Sequence, residues 1–137
     1  MRLKPLHQGI SVTDMDRSLK WYSEVLGFEP VSRQFEPDLG AVVAFLRKDD
    51  FEIELFEYKG SDRHDLPDDR KVPDEDLKYI GTKHVAYAVE NMWEAVSELK
   101  EKAVHPATPV LNMHGQLVCF VNDPDGILIE LIQPQKI

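Results

Sequence analysis

Two histidines and two glutamates stand at matched places in this chain. His84 follows His7 by 77 residues, and Glu130 follows Glu54 by 76. Each histidine opens an alternating segment, HQGISVT or HVAYAVE, and each glutamate sits inside an apolar one, FEIELFEY or ILIELIQ. Strand parity puts His7 on a face with Gly9, Ser11 and Thr13, and His84 with Ala86, Ala88 and Glu90. Each imidazole therefore lies among small or polar residues, where a cavity can open. A carboxylate flanked by Ile53 and Leu55, or by Ile129 and Leu131, is costly to bury unless a cation compensates it. Two imidazoles and two carboxylates suit one divalent ion of borderline or moderately hard character: Zn, Ni, Co, Mn or Fe. Four such ligands leave two octahedral positions for water or for two adjacent oxygens of a small-molecule substrate. An ion so placed stabilises an enolate next to a carbonyl.

Other residues compete for these roles. Glu52 shares a face with Glu54, but the repeat offset favours Glu54, as does its spacing of four residues from the turn at Asp50, matched by Glu130 and Gly126. Glu57 has the wrong parity and is expected to be exposed. His64 lies in a charged linker and is expected to be solvated. His105 and His114 flank turns at the surface, with His114 in NMHG able to reach a pocket rim. Trp21 and Trp93 fall on helices as packing groups. Arg33 and Arg47, on predicted strands, are either paired surface residues or contacts for an anionic substrate. Cys119, in LVCFV, reads as a small buried hydrophobe.

The elements that must position these groups come from a duplicated unit. Residues 5–13 alternate as a strand. Asp14 or Asp16 can cap a helix over 15–26 with Leu19, Tyr22, Val25 and Leu26 on its apolar stripe, and Gly27 ends it. Strands over 28–36, 40–48 and 50–58 follow, separated by PDLG and KDD. The second unit repeats the order: strand 83–90, helix 91–103, then strands at 107–111, 116–122 and 126–133, with NDPDG as the last turn. The expected organisation is one domain over 1–137, with module one at 1–58, a charged linker at 59–80 and module two at 81–134. Long loops in compact domains are uncommon, so the linker is either a solvated connector or a flap over the pocket.

Composition excludes several partner classes. The chain has 137 residues, enough for a real core. The net charge of −9 opposes nucleic acid and anionic membranes, which need a basic surface. No apolar run is long enough to span a bilayer, and the N-terminus shows no signal-peptide pattern. A single cysteine cannot form an internal disulfide, in keeping with a cytoplasmic setting.

The residues His7 in HQGISVTDMDRSLKWYSEVLGF, Glu54 in FEIELFEY, His84 in KHVAYAVENMWEAVSELK and Glu130 in NDPDGILIELIQ make the chain resemble the vicinal oxygen chelate superfamily. That superfamily includes glyoxalase I, methylmalonyl-CoA epimerase, extradiol dioxygenases and bleomycin-resistance proteins. The resemblance implies an α+β fold in which two tandem βαβββ modules form an incompletely closed eight-stranded mixed barrel around the metal. It implies a homodimer. It also implies a glyoxalase-like lyase, isomerase or epimerase in which Glu130 is both ligand and general base, with Glu54 its partner across the metal. The alternatives are an extradiol-type dioxygenase, whose iron takes two histidines and one carboxylate, and a non-enzymatic drug-binding protein of the bleomycin-resistance type. The fourth ligand, Glu54, speaks against the first, and retention of all four speaks against the second.

Overall fold

Both long helices start where the sequence offers a cap. The structure, a computed structural model, describes residues 1–135. The Asp14 carboxylate accepts the Arg17 N–H at 3.0 Å, opening α1 (Met15–Glu24). The Asn91 side-chain oxygen accepts the Trp93 and Glu94 N–H groups at 3.0 and 3.2 Å, opening α3 (Met92–Glu101). Each cap satisfies N–H groups that have no partner inside the helix. Gly27, at φ 76°, ends the turn after α1, and Ala103, at φ 58°, takes the matching left-handed position after α3.

The chain divides into two compact units, Met1–Asp65 and the segment from Leu66 onward. The first holds β1 (His7–Val12), α1, β2 (Glu29–Glu36), β3 (Ala41–Lys48) and β4 (Phe51–Glu57). Its sheet runs β1-β4-β3-β2, with β1 parallel to β4 and the other pairs antiparallel. The second unit begins with a 3₁₀ turn (Asp68–Lys71) and the short α2 (Pro73–Asp76). Then come β5 (Val85–Ala88), α3, β6 (Leu111–Met113), β7 (Gln116–Asn122) and β8 (Leu128–Gln133). Its sheet runs β5-β8-β7-β6, again with one parallel pair, β5 and β8. The tandem βαβββ order is the one read from the repeat, and the α+β class is the one the resemblance implied.

In each module the helix covers one face of its sheet. In module one Ile10, Val12, Ile53 and Leu55 point to α1 and are buried with Met15, Tyr22 and Phe28. His7, Gly9 and Ser11 point the other way and are open. In module two Met92, Leu99, Cys119, Val121, Ile129 and Leu131 form the equivalent core. Burial pushes the Cys119 thiol up, so it stays protonated and packs as the sequence implied.

Several expectations change. Glu57 is half-buried rather than exposed, and its Oε2 accepts the Met15 N–H at 2.6 Å. Its parity is that of Ile53 and Leu55, so it faces the N-terminus of α1, where a carboxylate is favoured. Gln133 does the same in module two, accepting the Met92 N–H at 2.7 Å. Trp93 is not a packing group: it is 63% exposed. The strand expected at 107–111 begins only at Leu111. Pro106 and Pro109 break the regular ladder there, and the segment pairs irregularly instead. Ala107 N–H donates to the Phe120 carbonyl at 2.7 Å, and the Thr108 hydroxyl accepts the Phe120 N–H at 3.0 Å.

From residue 66 the linker is tied to module two. Asn122 Nδ2 donates to the Lys71 carbonyl at 3.0 Å and to the Gly126 carbonyl at 2.9 Å. The Lys71 side chain lies so close over Gly126 (φ 88°) that a Cβ there would sit 2.6 Å from it. Asp76 is buried, with Arg70 Nε at 2.9 Å and Lys83 Nζ at 3.7 Å. Lys83 Nζ also donates to the Asp76 carbonyl at 2.7 Å. No helix among the described residues is long and apolar enough to cross a membrane.

Candidate metal centre

Each module brings its histidine and its glutamate together. His7 Nε2 lies 3.1 Å from Glu54 Oε2. His84 Nε2 lies 3.0 Å from Glu130 Oε2. The sheet dictates both contacts. β1 runs beside β4 with Gly9 opposite Glu54, and β5 runs beside β8 with Ala86 opposite Glu130. The residue opposite each glutamate is small, and the histidine two positions earlier on the same face can lean over it. His84 stands one residue ahead of β5, so its imidazole sits at the strand's entrance.

An aromatic ring fixes each imidazole. Phe45 on β3 is opposite Glu54, and Phe120 on β7 is opposite Glu130. The Phe45 ring meets His7 edge-on at 5.9 Å, and the Phe120 ring meets His84 edge-on at 5.0 Å. Sequence reasoning missed these two residues. Their spacing of 75 residues was the available signal, since it nearly repeats the offset of the ligands.

The donor set fits a divalent ion. Two neighbouring ligands at about 2.0–2.2 Å from a transition metal, at right angles, are about 2.8–3.1 Å apart. Both His–Glu pairs have that separation, which is also that of a direct hydrogen bond between the imidazole and the carboxylate. The module-two pair is half-buried, with Glu130 keeping 16% of its side-chain surface and His84 22%, while in module one His7 is the more open, at 34%. Within each module the cluster stops at two, and among the described residues no group of three or more His, Cys, Asp and Glu is placed to hold a metal ion.

The rival residues fall elsewhere. Glu52 is on the Glu54 face but is engaged by Arg47, whose Nη2 lies at 2.6 Å. Arg33 is paired with Asp16 at 2.5 Å. His64, His105 and His114 are exposed. Burial pushes the Tyr87 phenol far up, so it stays protonated on the helix-facing side of β5.

The chain is 31% identical over 136 residues to a probable lactoylglutathione lyase of Synechocystis, covering 93% of each protein. It is also 31% identical over 134 residues to an ethylmalonyl-CoA/methylmalonyl-CoA epimerase of Cereibacter sphaeroides, covering 93% of this chain and 95% of that protein. The fold is that of a glyoxalase family protein from Enterococcus faecalis, with a TM-score of 0.78 at 24% identity over 95% of this chain and 97% of the other. The sequence pattern of the Glyoxalase/Bleomycin resistance protein/Dioxygenase superfamily matches residues 4–131, and the chain belongs to that superfamily.

Proposed function

We propose that the protein is a divalent-metal-dependent lyase or isomerase of the glyoxalase or epimerase kind, which moves a proton at a carbon next to a carbonyl. The observation that carries this reading is the duplicated His–Glu contact, at 3.1 Å in one module and 3.0 Å in the other. His7, Glu54, His84 and Glu130 would together hold one Zn, Ni, Co, Mn or Fe ion, one pair from each module of the same chain or of two copies. Such an ion, when bound, supplies Lewis-acid stabilisation of the charge that develops on the carbonyl oxygen. The two modules then act as one functional domain.

The chain's own residues do the rest. Glu130 takes the proton from the carbon, and Glu54, its counterpart by the repeat, can return one to the opposite face. His84 and His7 keep their Nε2 atoms beside these carboxylates, and the Phe120 and Phe45 rings lie edge-on against the imidazoles. Relatives named as a lyase and as an epimerase support a proton-transfer reaction of this kind. The reading extends to a homodimer acting on a small molecule in the cytoplasm. The edge strands β2 and β6 are exposed almost throughout and need cover.

Solvent exchange tests the reaction directly. Metal-loaded protein in deuterium oxide should place deuterium at the reacting carbon of a 2-oxoaldehyde hemithioacetal or of a 2-methyl-branched acyl-CoA thioester. A chelator should stop it. No incorporation into either substrate class, with metal bound, would count decisively against the proposal.

A further inference from the structure

The geometry points to Arg47, oriented by Glu52, as a receiver of a substrate oxyanion beside the His7–Glu54 pair. The substrate then carries a carboxylate or phosphate at a distance from its reacting carbon. The inference rests on the proposed function only in taking His7 and Glu54 to flank that carbon.

Register places the group. In β3 and β4 Phe45 is opposite Glu54, and Arg47 is opposite Glu52. In β1 and β4 Glu52 is opposite His7. Residues two apart in a strand share a face, so Arg47 and Glu52 lie on the His7–Glu54 face, one rank or about 7 Å along the strands. The guanidinium is held from one edge. Arg47 Nε and Nη2 donate to the same Glu52 oxygen, at 3.0 and 2.6 Å, which leaves Nη1 directed away from that carboxylate. The Arg47 side chain is 55% exposed, and a pair this open contributes little to folding. It is well suited to meet a ligand, because a guanidinium offers planar donors matched to carboxylate and phosphate.

The duplication supplies an independent argument. Both modules carry the histidine, the glutamate and the phenylalanine on this face. At the rank of Arg47 and Glu52, module two has Asn122 opposite Leu128, and Asn122 is taken up by the Lys71 and Gly126 carbonyls. At this rank, therefore, the arginine is present in module one alone, which gives an otherwise matched pair of His–Glu contacts a direction for the substrate. The chain's net charge of −9 repels anions in general, so an anionic substrate needs a local cation of this kind. The other arginine of this sheet, Arg33, is paired with Asp16 in the first turn of α1.

The test begins with binding. The full chain, labelled for arginine Nε–Hε resonances, is titrated at low ionic strength with succinate and, separately, with inorganic phosphate. The Arg47 signal should shift and saturate with at least one of them, and the tighter probe identifies the oxyanion. The saturable shift should vanish in Arg47→Gln. Glu52→Gln, which keeps a side-chain oxygen to orient the guanidinium but removes the competing negative charge, should tighten binding several-fold. Neither probe saturating the Arg47 signal overturns the inference. Kinetics then compare the 2-oxoaldehyde hemithioacetal of glutathione, which carries carboxylates, with that of 2-mercaptoethanol, which carries none. In Arg47→Gln the ratio of kcat/KM between them should fall about 10–100-fold, through KM, and an unchanged ratio overturns the inference. Anion binding at Arg47 without turnover of either adduct would sink the proposed reaction and leave the subsite standing. Turnover with an unresponsive Arg47 would do the reverse.

Discussion

Glu130→Gln is expected to lower turnover by about 10²–10⁴-fold, the usual cost of losing a general base, while the protein retains its divalent ion. The amide keeps an oxygen at the position of Oε2, 3.0 Å from His84 Nε2, but it cannot accept the substrate proton. His84→Ala is expected to reach similar inactivity by another route. It removes a nitrogen donor and leaves Glu130 beside the Phe120 ring with no imidazole to orient it. Metal content measured on the two variants separates the roles: near wild type for Glu130→Gln and strongly reduced for His84→Ala. If Glu130→Gln still exchanges the substrate hydrogen with solvent, the base is Glu54.

Asp76→Ala is expected to destabilise the protein by about 2–4 kcal/mol, as when one partner of a buried ion pair is removed. Asp76 keeps only 5% of its side-chain surface and lies between Arg70 and Lys83. Truncation leaves two cations close together without their carboxylate. The lower part of the range applies because both partners retain some water contact. Lys83 immediately precedes His84, so the same contact fixes the entrance to β5. Urea unfolding should show a lower midpoint at an unchanged m-value, and Asp76→Asn should recover part of the loss. A change below about 0.5 kcal/mol, the range of ordinary surface substitutions, would mean that α2 contributes no anchoring.

The two His–Glu contacts were legible because they rest on two regularities of sequence. Strand parity separated His7 from Ile10 and Val12, and the burial of the latter two follows it. The offset of 76–77 residues chose Glu54 over Glu52, and it is Glu54 that meets a histidine while Glu52 meets Arg47. Helix starts were legible because Asp14 and Asn91 are local signals. What escaped depends on contacts between segments distant in the chain. Glu57 reads as a solvent residue until α1 is laid over the end of β4 and presents the Met15 N–H. Residues 66–80 have little periodicity, yet they are held by Asn122 and Lys83, and neither partner is announced by the linker's own sequence. The late start of β6 follows from two prolines whose effect on pairing depends on the neighbouring strand.

Metal stoichiometry tests the central claim most directly. Metal-free protein is titrated with Co(II) and followed by its visible absorption, for the wild type, His7→Ala and His84→Ala. One tightly bound ion per chain, lost in each of the two variants, is the result that a single centre built from both His–Glu pairs requires. Two ions per chain, or tight binding that survives either histidine substitution, would contradict it.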